Sequence, residues 1–283
     1  MSPNPGSVSP GIVWLASYPK SGNTWLRVFL ANLLSDGPGP VDINSLDRFG
    51  ISDARRDLYE AASGRALASL NPGEQHRLRP IIHRRLVQGR AGPVFVKTHN
   101  TVAMHDGVAT ISPELTAGAI YVVRHPLDVV LSYAHHFALE IDFAIEAVCN
   151  PDNYLDTTEN AAFSYLSSWS LHVSAWTATP GLVPCVIRYE DMLERPGETF
   201  GAVSRYLGLA PDRAALKRAI RFSSFDVLRA QERKTGFRER GPGGGSFFRS
   251  GRAGRWRETL GRGQVARVVA AHGEVMARFG YEA

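Results

Sequence analysis

Near the start of the chain, Ser17-Tyr18-Pro19-Lys20-Ser21-Gly22-Asn23-Thr24-Trp25 follows a short apolar run and leads at once into a helical pattern. A strand, a tight polar loop and a helix N-terminus together form an anion site, because unpaired backbone N–H groups and the positive end of the helix dipole converge there. The loop is not a nucleoside-triphosphate P-loop. That motif, GxxxxGK[ST], sets a lysine directly after its second glycine and a Ser/Thr hydroxyl on magnesium. Here Lys20 precedes Gly22 by two positions, and Asn23 stands where that lysine would be. The pattern fits a ligand with one phosphate at this end and no metal bridge. The plainer alternative is that Pro19 and Gly22 only shape an ordinary strand-to-helix turn.

A second concentration of charge lies far along the chain. Between Arg229 and Arg257 there are nine Lys/Arg and only two acids, Glu232 and Glu239. A run of this kind is most simply a solvated basic loop, but it could also contact nucleic acid or close over a small polyanion. Composition does not choose among the three.

The first loop resembles the 5'-phosphosulfate loop of the cytosolic-type sulfotransferases that use 3'-phosphoadenosine-5'-phosphosulfate (PAPS), and the chain reads as a bacterial-looking member of that family. Tyr121-Val122-Val123-Arg124-His125-Pro126-Leu127-Asp128-Val129-Val130-Leu131-Ser132-Tyr133 resembles the family's 3'-phosphate segment, with His125 where the family usually has Asn. Lys97-Thr98-His99 is similar to its catalytic Lys-Thr-His. Tyr189-Glu190-Asp191 and Ser223-Ser224-Phe225 are similar to segments whose tyrosine, small hydroxyl and aromatic lie at the adenine. Arg249-Ser250-Gly251-Arg252-Ala253-Gly254-Arg255-Trp256 looks like the C-terminal Arg-Lys-Gly-x-x-Gly-x-Trp loop, with Ser250 replacing the lysine and so one phosphate contact in doubt.

The resemblance implies a donor site made by Lys20, Ser21, Gly22, Asn23, Thr24, Trp25, Arg124, Ser132, Tyr189, Ser224, Phe225, Arg249, Ser250 and Gly251. It also implies Lys20, Lys97 and His99 as the catalytic groups, PAPS as donor, PAP as product, and no metal. Chemistry accounts for these residue types on its own terms. Sulfuryl transfer, like phosphoryl transfer, asks the protein to align an in-line attack and to stabilise charge on the equatorial and leaving oxygens. Lys20 is suited to the leaving oxygen and Lys97 to the sulfuryl oxygens. His99 can take the proton of an attacking hydroxyl near neutral pH, although a lone histidine after a strand is more often structural.

These groups need a framework that brings distant segments together. Ile12 to Ser17, Val94 to Lys97, Ala119 to Arg124 and Val183 to Tyr189 have the apolar, β-branched character of buried parallel strands. Helical spacing follows the first in Trp25, Val28, Phe29 and Leu33, and the third in Leu127, Val130, Leu131 and Ala134. The alternation predicts a single α/β domain over 11–283, mainly a parallel sheet flanked by helices, with a P-loop-like phosphate-binding loop and ligands at the carboxyl ends of the strands. Residues 159–178, 196–208, 211–221 and 263–279 read as further helices. Residues 1–10 read as a flexible N-terminus, and 36–75 and 232–254 as mobile lid segments, the latter rich in glycine and carrying Phe247-Phe248.

At 283 residues and 44% hydrophobic content the chain can bury one large core. No apolar run is long enough to cross a bilayer, and the first ten residues do not form a signal peptide, so the expected location is cytoplasmic. Cys149 and Cys185 read as reduced core thiols, and neither they nor the adjacent His135 and His136 suggest a metal cluster. The acceptor is expected to be a small-molecule hydroxyl compound: an aromatic, a natural product or a saccharide. Phe137, Phe143, Tyr154 and the 36–75 segment are candidates for its pocket. Nucleic acid is not an expected partner, a homodimer is left open, and the rival enzymatic reading is a P-loop nucleotide-dependent kinase.

Overall fold

In a computed structural model of the chain, described for residues 10–241 and 243–283, five parallel strands form one sheet. They are β1 (Ile12–Ser17), β2 (Ile51–Ser52), β3 (Val94–Thr98), β4 (Thr116–Val123) and β5 (Cys185–Arg188), in the spatial order β2-β3-β1-β4-β5. The central strand β1 pairs Ala16 with Thr98 on one side and Ser17 with Val122 on the other, so the three strands end together. Side chains alternate across the sheet. Trp14, Ala16, Val96 and Tyr121 face a core with Val130, Trp169 and Trp176. Val13, Leu15, Ile120 and Val122 face a second core with Leu26, Phe29, Phe200 and Val203. Burial on both faces explains why these strands read as continuous apolar runs rather than alternating ones.

β1 follows the sequence prediction residue for residue, and the other expected strands lie within a few residues of theirs. Tyr189, placed last in a strand, is instead the first residue of the helix Tyr189–Glu194. Helices occupy Pro196–Tyr206, Arg213–Phe222 and Arg262–Arg278, close to three of the expected spans. The expected helix over 159–178 is corrected: Tyr154–Leu155 pairs with Ser164–Tyr165 as a hairpin, and the helix is only Trp169–Ala178. The side-chain oxygens of Gln75 and Asn100 accept from the Phe163 and Tyr165 N–H groups and hold that stretch extended.

Residues 36–75, expected as a lid segment, are more structured than their weak periodicity implied. They contain β2, the helix Arg56–Ser63 and the start of the helix Pro72–Val87, and they bury Ile43, Leu46, Tyr59, Leu67 and Leu70. A polar cluster adds to this apolar anchoring. The buried Asp53 carboxylate accepts from Arg79 at 3.2 Å, Thr98 at 2.9 Å and Asn100 at 3.0 Å, fastening it to the end of β3. The expectation for residues 1–10 falls, apart from Pro10, outside the described residues, as does Pro242 of the glycine-rich segment. Both cysteines are free, but they are half-buried at the edge of the core rather than inside it.

Candidate active site

The loop after β1 turns through an N–H bond from Ser21 to the Tyr18 carbonyl, with Lys20 at φ 70° and Gly22 at φ 111°. Both lie in the left-handed region, which Gly22 enters without strain and Lys20 does not. At Gly22 even a methyl group has no room: a Cβ there would lie 2.8 Å from the Tyr189 ring. The helix Asn23–Leu33 starts immediately, so its first N–H groups have no partner within the helix and open toward the cleft. Arg124 crosses from the end of β4, donates to the Lys20 carbonyl at 3.1 Å and lays its guanidinium over Tyr189 at 4.1 Å. Tyr189 in turn meets Trp25 edge-on.

These groups line a cleft of about 290 Å³ over the carboxyl ends of β1, β3 and β4. Lys20, Gly22, Asn23, Thr24, Trp25, Lys97, His99, Arg124, Ser132 and Tyr189 reach it from the sheet side, and Phe225, Arg249, Ser250 and Gly251 from the C-terminal segment. Two expected residues stand apart. Ser21 is fully buried, with its Oγ unpartnered among the described residues. Ser224 sits outside the lining as the residue before the helix Phe225–Thr235. Asn23 turns its side chain away to donate to the Leu15 carbonyl at 2.8 Å, so its contribution to the cleft is backbone.

Of the three aromatics expected at an acceptor pocket, only Phe137 lines the cleft. Phe143 is 61% exposed on a separate surface groove, because its helix, Ile141–Cys149, turns Ala144, Ile145 and Val148 to the core. Tyr154 is exposed and stacked on Phe163, and Leu155 beside it lines the cleft instead. No residue of 36–75 is among the lining residues.

Electrostatics divide the cleft. Lys20 is pulled to a pKa of about 7 by burial and then by Arg124, while its ammonium donates to His136 Nδ1 at 3.1 Å and lies 3.9 Å from the centre of the Phe247 ring. Burial, followed by Arg255 and Arg124, lowers Arg249 below the usual arginine value. Such crowding of cations favours an anionic ligand. His99 Nδ1 donates to the Ser17 carbonyl at 2.8 Å, which leaves Nε2 without a proton. Burial, then Lys97, holds its pKa well below 6.5.

Four residues in or beside the cleft were not singled out from the sequence. Glu239 accepts from Arg27 at 2.5 Å and from the Thr24 hydroxyl at 3.3 Å. Burial acts to raise its pKa, but Arg27 and Lys97 outweigh it and hold the group at about 2. Asp128 accepts from the N–H groups of Gly254 and Trp256 at 2.6 and 3.1 Å, and Glu232 from those of Phe247 and Phe248 at 2.6 and 2.9 Å. His136 is the fourth. The available signal was the pair of acids inside an otherwise basic run. Among the described residues no group of three or more His, Cys, Asp or Glu is arranged to hold a metal, and no helix is long and apolar enough to cross a membrane.

An anion loop beside an uncharged imidazole, on a cleft crowded with cations, suits an enzyme that transfers an anionic group. The sulfotransferase domain family matches residues 10–280, and the chain belongs to that family. It is similar to sulfotransferase 1B1 of dog (Canis lupus familiaris), 27% identical over 224 residues, 78% of this chain and 67% of that protein. Sulfotransferase 1B1 of mouse (Mus musculus) is 25% identical over 227 residues, 78% and 66% of the two chains. Among solved structures, mouse sulfotransferase SULT7A1 complexed with PAP superposes with a TM-score of 0.59 at 16% identity, covering 96% of this chain and 85% of that one. Retinol dehydratase in complex with retinol and PAP gives 0.64 at 17%, covering 97% and 84%. At these identities the two structures show a shared fold.

Proposed function

We propose that the protein moves the sulfuryl group of PAPS onto a hydroxyl of a small-molecule acceptor, with no metal and in the cytoplasm. The observation that carries this reading is the protonation geometry of His99: its Nδ1–H is spent on the Ser17 carbonyl, so Nε2 faces the cleft as a proton acceptor beside Lys97. In the proposed step the acceptor oxygen attacks sulfur in line, and the bond from sulfur to the 5'-phosphate oxygen breaks as the new S–O bond forms. The hydroxyl proton passes to His99 Nε2, and PAP leaves with the negative charge. Lys20 meets that charge at the leaving oxygen and Lys97 meets the sulfuryl oxygens. Arg124 and Arg249, with Ser132, Ser250 and Gly251, take the 3'-phosphate; Trp25, Tyr189 and Phe225 flank the base.

PAP-bound relatives of the same fold support the choice of donor. Retinol in one of them fits a hydroxyl acceptor, and Phe137, Leu155 and Phe247 give this cleft an apolar end. Thermal melting with PAP, ATP and AMP, each with and without a chelator, tests the reading through linkage, since only a ligand that prefers the folded state raises the melting temperature. A selective, chelator-insensitive rise with PAP is expected. A rise with ATP that depends on magnesium would favour the kinase reading instead.

A further inference from the structure

The segment that carries Arg249, Ser250 and Gly251 holds six glycines between Glu239 and Gly254, and its entropy alone would leave it disordered. Two carboxylates oppose this. At its near end Glu232, on the helix Phe225–Thr235 and with a side chain only 2% exposed, accepts from Phe247 N–H at 2.6 Å, Phe248 N–H at 2.9 Å, Ser246 Oγ at 2.6 Å and Arg240 at 3.3 Å. At its far end Asp128, also buried, accepts from Gly254 and Trp256. Phe248 is packed among Val28, Leu46, Leu228 and Phe237, and Phe247 lies on the Lys20 ammonium. Burial acts to raise the pKa of Glu232, but its four partners outweigh burial and lower it, so the carboxylate stays charged at neutral pH.

We propose that Glu232 is a positioning residue for the donor: with Asp128 at the other end, it holds Phe247–Trp256 in its phosphate-receiving shape before any donor is bound. The helix that supplies Glu232 also supplies Phe225, whose ring would lie 2.5 Å from a Cβ at Gly251. One rigid element therefore sets both the aromatic face and the loop that crosses it. Ordering the loop in advance removes that entropy from the binding step, so the benefit falls on affinity for the 3'-phosphate rather than on turnover.

The proposal rests on reading this cleft as the PAPS site, and hydrogen exchange on the ligand-free protein separates the two. Amides of 247–256 should be protected without ligand in the wild type and exchange at least tenfold faster in Glu232→Gln. In the same variant the Kd for PAP should rise about tenfold, as for loss of a charged hydrogen-bond acceptor. AMP, which lacks the 3'-phosphate, should bind as before, and kcat should stay within about threefold, because a loop engaged equally in ground and transition state changes KM alone. A variant that merely loosens the fold would weaken PAP and AMP alike. If Glu232→Gln fails to fold, exchange in the wild type decides: unprotected loop amides without ligand overturn the proposal, as does an unchanged PAP affinity in a folded variant. Absence of PAP binding to the wild type, with the loop protected, would instead overturn the donor assignment.

Discussion

The ring of His99 is oriented by Ser17: a 2.8 Å bond from Nδ1 to the Ser17 carbonyl joins the end of β3 to the end of β1 and fixes which nitrogen faces the cleft. The carbonyl can only accept, so Nδ1 must carry the proton and Nε2 the lone pair. Replacing His99 with Ala should lower kcat on an alcohol acceptor by about 10²-fold or more and leave PAP affinity nearly unchanged. Single-turnover rates beside PAP titration make the check, and near wild-type turnover would remove His99 from the mechanism. Because its pKa is held well below 6.5, the base is already unprotonated at neutral pH. Activity should therefore show no fall attributable to this group between pH 8 and pH 6.5.

Arg124 and Arg249 crowd one end of the cleft, and the proposed function gives them the 3'-phosphate. In the wild type, kcat/KM for PAPS should exceed that for adenosine 5'-phosphosulfate by roughly 10²-fold, since a donor without the phosphate leaves cations unpaired. Arg124→Ala or Arg249→Ala should narrow that ratio by about tenfold or more, each charge-assisted bond contributing about 1.5–3 kcal/mol. Equal use of the two donors by the wild type would show that the basic segment has another purpose.

Arg27 is the least exposed cation near the site, at 1%, and its partner Glu239 comes from the far end of the chain. Removing Arg27 takes away the main charge that holds the Glu239 pKa at about 2 and leaves that carboxylate without its guanidinium partner beside the anion loop. Arg27→Met should destabilise the fold by about 3–5 kcal/mol and weaken PAP as well. Glu239→Gln should move PAP affinity the opposite way, because the cleft becomes more cationic. Chemical denaturation and PAP titration of both variants decide the matter, and parallel loss of PAP affinity in the two would show that the pair acts only as a fastener.

His83, His172 and His272 are almost fully buried, with pKa values lowered by burial to about 3, 4 and 4. A base whose folded pKa lies below its unfolded value of about 6.5 binds more protons unfolded, so stability is full above 6.5 and drains away as the pH falls toward the folded value. Each contributes a loss of about 1 kcal/mol at pH 5.5, a few kcal/mol together. The melting temperature should drop between pH 7.5 and 5.5, and His172→Gln should flatten that slope; a flat profile in the wild type would contradict the burial of these rings.

Strand β1 and the loop through Trp25 were legible in the sequence because each depends on neighbours within a few residues: apolar continuity for a doubly buried strand, then a proline, a glycine and a helical repeat. The lysine offset from Gly22 likewise separated this loop from a triphosphate P-loop without any coordinates. Contacts between residues far apart in sequence were not legible. Residues 36–75 have weak periodicity because they fold as short pieces whose apolar side chains are split between two cores, Tyr59, Leu67 and Leu70 in one and Ile43 and Leu46 in another, with Asp53 fastened through Arg79, Thr98 and Asn100. Phe143 carries the same apolar signal as Phe137, yet one helix turns its ring to solvent while another sets it in the cleft. Glu232 and Glu239 looked like solvated charges diluting a basic run. Only the fold, by bringing backbone N–H groups to one and Arg27 to the other, supplied the partners that keep a carboxylate charged when it leaves water.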